Sequence, residues 1–145
     1  MKKVGFLFLV SWLVLSCNKD SVDIIPNVRF NAEINLDNPQ YMGKNPFIIK
    51  PGGVNRYIGV DGVVVFELSP TDYYAFDLMC THHHDNQGIY FVEIVDDGDI
   101  NLECPQCHSK FNIASEYGSV TNGPAQWPLK RYQTSVNGNI LRIWN

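Results

Sequence analysis

The stretch "ECPQCHSKFN" at residues 103–112 contains two cysteines separated by two residues, with a histidine directly behind them. A second stretch upstream, "MCTHHHD" at residues 79–85, contains a Cys-x-His. Thiolate and neutral imidazole are soft ligands, and together they favour an iron–sulfur cluster or zinc. The two stretches are therefore candidate metal-binding loops. A disulfide between two of the cysteines is the alternative use of the thiols.

The chain around these stretches has the patterns of strands and turns. Residues 28–36 alternate apolar and polar side chains, the period that a half-buried strand has. The dipeptides Asp61-Gly62 and Asn137-Gly138 stand between apolar runs, so each predicts a hairpin. No stretch has a convincing helical period. The chain is predicted to be a small antiparallel all-β domain, a β-sandwich or barrel of about eight to ten strands.

The predicted strands also place the cysteines. Residues 73–80 predict a strand that ends at Cys80. Residues 89–95 and 99–104 predict a further hairpin, and its second strand ends at Cys104. Both ligand stretches are therefore expected in loops that follow strands, with a metal held between the two loops.

The first residues predict export and a lipid anchor. Residues 1–16 have a short basic start and then an apolar run too short to span a bilayer comfortably, which is typical of a signal peptide. The end of this segment, "LVLSC", resembles a bacterial lipobox, in which Cys17 would be acylated. We expect residues 17–27 to form a tether and residues 28–145 to form the domain. The predicted location is the outer membrane or the cell surface, with the chain held on the membrane through its lipid anchor.

The net charge and the number of cysteines indicate which partners and which uses of the thiols are expected. The formal net charge is −4, and an acidic chain argues against nucleic acid as a partner. Of the four cysteines, three remain once Cys17 is set aside. Because an odd number cannot all pair within one chain, a metal is the more natural use of these thiols.

The two stretches resemble the ligand loops of Rieske iron–sulfur proteins, whose pattern is Cys-x-His followed by Cys-Pro-x-His-Gly-Ser-x-Phe/Tyr. Cys80 and His82 match the first loop, and Cys104 with Pro105 begins the second. The further matches are Ser109, Phe111, the Gly123-Pro124-Ala125 loop, Pro128, Leu129 and Tyr132. The resemblance implies a Rieske-like fold with a [2Fe–2S] cluster as cofactor.

The chain departs from the family pattern in its second loop. Cys107 stands where the family has its second histidine, and His108 falls on the family's glycine. The implied metal ligands are Cys80, His82, Cys104 and Cys107. A one-residue slip would make His108 the alternative fourth ligand. Zinc on the same residues is the alternative cofactor, because three cysteines and one histidine are a common zinc set.

The resemblance implies an electron carrier or redox subunit rather than a stand-alone enzyme, with no catalytic residue and an unidentified redox partner protein. Ser109 would donate a hydrogen bond to a cluster sulfur, while Gly123 and Pro124 would cover the cluster. We expect His83 and His84 to be solvated loop residues. The alternative is a cluster-free, or zinc- or disulfide-stabilised, lipoprotein of the Rieske fold with a structural or binding role.

Overall fold

The computed structural model describes residues 24–53, 55–83, 88–96 and 98–145, and these residues form ten strands. The strands are β1 (Asn31–Asn35), β2 (Phe47–Ile49), β3 (Val63–Ser69), β4 (Asp72–Asp77), β5 (Glu93–Ile94), β6 (Asn101–Glu103), β7 (Lys110–Asn112), β8 (Ser119–Asn122), β9 (Arg131–Asn137) and β10 (Ile140–Trp144). They make a six-stranded antiparallel sheet in the order β1-β10-β9-β4-β3-β2 and a four-stranded antiparallel sheet in the order β5-β6-β7-β8. The predicted small antiparallel all-β fold is confirmed.

Both faces of the six-stranded sheet are buried at strand β3. Val63 and Val65 pack into one apolar cluster, which also contains residues of β1, β2, β9 and β10. Val64, which points to the opposite face, packs into a second cluster with Cys80 and Cys104. Because both faces are buried, β3 begins with a continuous apolar run rather than an alternating one. The candidate site therefore rests directly on the second apolar cluster.

The two dipeptides that predict hairpins have different outcomes. Asn137-Gly138 joins β9 to β10, as predicted. The hairpin predicted at Asp61-Gly62 is wrong, because β3 begins only at Val63 and the residues before it form turns. The Val60 amide donates to the carboxylate of Asp77 at 2.8 Å, so a side chain takes this amide instead of a neighbouring strand.

The four-stranded sheet lies in the chain between β4 and β9 and carries the candidate site at one end. The connection from β4 to β5 contains Cys80, and the turn between β6 and β7 contains Cys104 and Cys107. The predicted hairpin over residues 89–104 is present as β5 and β6, although both strands are shorter than the sequence predicts. The strands β7 and β8 had no clear pattern of their own in the sequence.

The predicted signal segment 1–16 and the predicted lipidated residue Cys17 lie outside the described residues, as does most of the predicted tether. Among the residues that are described, no helix is long and apolar enough to span a bilayer.

Candidate metal centre

The first ligand loop is anchored where it leaves β4. The Met79 amide donates to the buried carboxylate of Asp77 at 2.7 Å. The Cys80 amide then donates to the carbonyl of Tyr90 at 2.8 Å, and the Val92 amide donates back to the carbonyl of Leu78 at 2.7 Å. The two ends of the loop are thus tied together, and this places the Cys80 side chain in the buried apolar cluster.

The second ligand loop is the tight turn of the β6–β7 hairpin. The His108 amide donates to the carbonyl of Cys104 at 2.8 Å, and the Cys104 amide donates to the carbonyl of Ser109 at 2.9 Å. His108 has a left-handed backbone with a φ of 57°, which lets the turn close within so few residues. The turn leaves Cys104 fully buried and Cys107 half-buried.

Four side chains from the two loops converge on one point. The ligand atoms of Cys80, His83, Cys104 and Cys107 all lie within 4.8 Å of one another. The Sγ atoms of Cys80 and Cys107 are 3.7 Å apart. Two thiolates on one tetrahedral metal, each bonded at about 2.3 Å, would lie about 3.8 Å apart. The three described cysteines have free thiols, so all of them are available as ligands.

The histidines are arranged differently from the sequence-based expectation. His83 was expected to be solvated, but its side chain is buried with 7% exposure and belongs to the convergent group. His82, the imidazole ligand that the family pattern implies, is half-buried and is not among the four. The His108 ring projects to the surface, where its Nδ1 lies 2.9 Å from Oε1 of Glu103. His84 lies outside the described residues.

The His83 ring shows that the group fits a metal. Neither Nδ1 nor Nε2 of this buried ring has a hydrogen-bond partner within the described parts of the chain. A buried polar atom without a partner is unfavourable, and a metal bond would satisfy one of the two nitrogens. Three thiols and one imidazole are the donor types that iron–sulfur clusters and zinc select.

A family model for the Rieske [2Fe-2S] domain matches residues 43–133, which is more than half of the 145-residue chain. The chain belongs to the Rieske [2Fe–2S] domain family. The matched segment includes both ligand loops and the Gly123-Pro124-Ala125 loop. With the Cys/His group in place, membership of this family implies a [2Fe–2S] cluster as the cofactor.

Two solved structures resemble this Rieske domain. One is the complex of reduced oxygenase and oxidized ferredoxin in carbazole 1,9a-dioxygenase, with 21% identity, a TM-score of 0.48, and coverage of 69% of this chain and 82% of that chain. The other is the ferredoxin of carbazole 1,9a-dioxygenase from Nocardioides aromaticivorans IC177, with 17% identity, a TM-score of 0.44, and coverage of 68% and 96%. No curated protein matches the chain.

The buried thiols of the Rieske site differ in acidity. Burial raises the pKa of the Cys80 thiol to about 12, and the neighbouring Cys104 and Cys107 thiols add to the rise. Burial also acts to raise the pKa of Cys107, but hydrogen bonds from the hydroxyl and amide of Ser109, together with the other two thiols, lower it overall. Metal binding must therefore displace a tightly held proton from Cys80, whereas Cys107 gives up its proton more readily.

Burial, with a smaller contribution from the neighbouring His82, lowers the pKa of His83. The imidazole is thus held in the neutral form, the form that binds metals. In the second loop, the His108 ring and Lys110 lower the pKa of Glu103, so this carboxylate stays charged beside the exposed side of the turn.

A third segment of the Rieske domain closes over the second ligand loop. The buried Ser109 Oγ accepts the Ala125 amide at 3.0 Å and lies 3.1 Å from the Cys107 Sγ. Gly123 packs against the backbone of Ser109, whereas Pro124 is on the exposed side of the loop. The Thr81 hydroxyl donates to the carbonyl of Trp127, which joins the first ligand loop to the same segment. Ser109 and Gly123 therefore lie beside the group of three thiols and one imidazole.

Proposed function

We propose that this Rieske domain is a one-electron carrier, tethered to a membrane by a lipid and working outside the cytoplasm. The observation that carries the proposal is the convergence of three free thiols and a buried imidazole in two adjacent loops, the imidazole having no hydrogen-bond partner among the described residues. When bound, a [2Fe–2S] cluster supplies reversible one-electron chemistry. The chain contributes the ligands, the hydrogen bonds and the shielding around it.

Cys80, Cys104 and Cys107 would supply three thiolates, and one histidine of the first loop would supply the fourth ligand. Two observations support Cys107 over His108. The Cys107 Sγ is 3.7 Å from the Cys80 Sγ. The His108 ring, by contrast, pairs with Glu103 at the surface, and its side chain is 74% exposed. The second loop is then a variant of the family pattern, with cysteine in place of histidine.

The third thiolate should lower the reduction potential of the cluster. It places more negative charge on the cluster than the two-histidine set does, which stabilises the oxidised state. Two-histidine Rieske centres have potentials from about −150 to +300 mV, and all-cysteine plant-type ferredoxins lie near about −400 mV. We expect this centre to fall between about −400 and about −150 mV.

The protein side of electron transfer is shielding and orientation. Ser109 would turn its hydroxyl toward the sulfur of Cys107 once that thiol has lost its proton. The bond from the Ala125 amide to the same hydroxyl holds the covering segment in place and limits the access of water. The redox partner is an unidentified protein.

The tether is part of the proposal. The basic start, the apolar run and the lipobox-like end of residues 1–16 support cleavage before Cys17 and acylation of that cysteine. The outer membrane or the cell surface is the proposed location. Mass spectrometry of the N-terminal peptide should find a lipid-modified Cys17, and Cys17→Ser should leave the membrane fraction. An unmodified N-terminus at Met1 would contradict the tether.

The cluster is tested on the full chain, purified anaerobically in mild detergent. We expect brown protein, about two irons per chain, and a rhombic EPR signal at low temperature after dithionite reduction. Cys107→Ser should impair cluster retention, whereas His108→Ala should leave it intact. Colourless protein without iron would refute the electron-carrier function.

A zinc-stabilised structural or binding module is the second candidate. It is favoured by the compactness of the group, because ligand atoms within 4.8 Å of one another suit a single tetrahedral ion. About one zinc per chain, with no iron, would support this function in the experiment above.

A further inference from the structure

Two adjacent histidines compete for one ligand position in the first loop. The family pattern points to His82, but the side chain that reaches the three thiols in this structure is His83. The His82 ring is half-exposed, whereas the His83 ring is buried with 7% exposure. The difference of one residue changes which ring faces the site.

The His83 ring is fixed in position by its neighbours. Its centroid lies 4.6 Å from the Tyr90 ring at an interplanar angle of 59°, and 4.9 Å from the His82 ring at 75°. These contacts are aromatic, so they hold the ring without satisfying either nitrogen. Both nitrogens lack a hydrogen-bond partner among the residues that the structure describes. A ring that is packed, buried and unpartnered beside three free thiols is arranged as a ligand.

His82 has a different use in the same turn. A backbone hydrogen bond from His82 acts to lower the pKa of the Cys80 thiol, against the larger effect of burial. A hydrogen bond to a ligating sulfur orients the ligand and tunes its charge. The residue at the family's histidine position would thus serve through its amide rather than through its ring.

We propose that His83, and not His82, is the imidazole ligand of this centre. The inference rests on the proposed function only in requiring that the site bind a metal. Both loops then present their ligands with the same separation, as Cys80-x-x-His83 and Cys104-x-x-Cys107. This Cys-x-x-His loop departs from the Cys-x-His of the family.

The test is a Co²⁺ titration of the metal-free full chain, with His82→Ala as the matched control for His83→Ala. Tetrahedral thiolate-bound Co²⁺ is detected by its visible d–d absorption. We expect His83→Ala to weaken Co²⁺ binding by at least about tenfold and to change the shape of the absorption band. Removing a residue that only hydrogen-bonds to a metal ligand typically weakens binding about 10–100-fold, and removing the ligand itself should cost no less. His82→Ala keeps its backbone amide and loses only a ring that touches His83, so its loss of Co²⁺ affinity should stay below about tenfold. The reverse result would overturn the assignment, and so would two variants with equal losses.

A rescue variant separates ligand loss from misfolding. His83→Cys should bind Co²⁺ again, with stronger sulfur-to-metal charge-transfer absorption, whereas His82→Cys should leave the spectrum unchanged. Failure of His83→Cys to bind, with a folded circular dichroism spectrum, would count against the proposal.

The fate of the cluster is measured separately, by nitrogen hyperfine couplings in pulsed EPR of the reduced, iron-loaded chain. A nitrogen coupling that is lost only in His82→Ala would leave the electron carrier standing and overturn the His83 assignment. Co²⁺ binding through His83, with no iron cluster formed, would overturn the electron carrier and leave the His83 assignment standing.

Discussion

Gly123 is the position where a single added methyl group should disturb the covering segment most. Its φ is 90°, and a Cβ built there would lie 2.5 Å from the Ser109 Cα, 2.8 Å from its Oγ and 2.9 Å from its amide nitrogen. Two of these three atoms belong to the backbone of the second ligand loop. The methyl group therefore has no flexible neighbour to displace, and the two segments must separate.

The expected cost of Gly123→Ala has two parts. A non-glycine residue in the left-handed region costs about 1–2 kcal/mol. Overpacking against a fixed neighbour typically adds about 1–3 kcal/mol. We therefore expect the free energy of unfolding of the metal-free chain to fall by about 2–5 kcal/mol. The metal-loaded chain should also release its metal faster, because the Ala125 amide loses its place on Ser109.

Urea denaturation followed by tryptophan fluorescence measures the first effect, with the midpoint shifting and the m-value unchanged. Gly138→Ala is the matched control. Gly138 also has a left-handed φ, 62°, but a Cβ there would meet no atom within 4 Å. Gly138→Ala should lower the free energy of unfolding only by the cost of the left-handed backbone, about 1–2 kcal/mol. Equal losses in the two variants would refute the argument, because they would show that the contact with Ser109 contributes nothing.

Three further predictions concern the buried polar groups. Tyr132→Phe removes the hydrogen bond that the Tyr132 hydroxyl donates to Asp77 at 2.6 Å, and urea denaturation should show a loss of about 1.5–3 kcal/mol. The exposed control Tyr117→Phe should change stability by less than about 0.5 kcal/mol, and a similar value for Tyr132→Phe would contradict the assignment. Burial and the neighbouring Asp77 raise the pKa of Tyr132, so the folded chain keeps a proton that the unfolded chain releases above pH 10. Unfolding midpoints should therefore fall more steeply above pH 10 in the wild type than in Tyr132→Phe, and parallel curves would contradict this. The Ser109 Oγ accepts a hydrogen bond from the Cys107 thiol in the metal-free chain, and it would donate one to that sulfur once a cluster is bound. Ser109→Ala would remove this donated bond, worth about 1–1.5 kcal/mol, so voltammetry should show a potential lower by roughly 40–65 mV. An unchanged potential would show that the bond does not favour the reduced state.

The placement of the ligand loops followed from local rules. The apolar and polar alternation of residues 28–36 predicts a strand, and β1 forms within this range with Ala32 and Ile34 buried. Asn137-Gly138 supplies the turn of a hairpin without help from distant residues. The position of Cys80 and Cys104 after strands is likewise readable from sequence, since strand ends are set by local pattern and turn residues.

The features that the sequence did not predict have a common cause: a residue distant in the sequence decides the local structure. Asp61-Gly62 has the composition of a hairpin turn, yet the carboxylate of Asp77 takes the amide of Val60, and the preceding strand does not form. The three valines at the start of β3 do not show which faces are covered. Only the packing of two apolar clusters on opposite sides of the sheet explains why all three are buried.

The sequence by itself determined the fold class, the metal chemistry of the two loops and the family, because alternation, turn residues and cysteine spacing are properties of neighbouring residues. It did not determine which of two adjacent histidines faces the thiols. The tertiary structure decided this, because the Tyr90 ring packs on His83 and buries it beside Cys80, while His82 stays half-exposed. Adjacent side chains in a loop point in different directions, and only the surfaces that the rest of the chain brings against the loop determine which of them is turned inward.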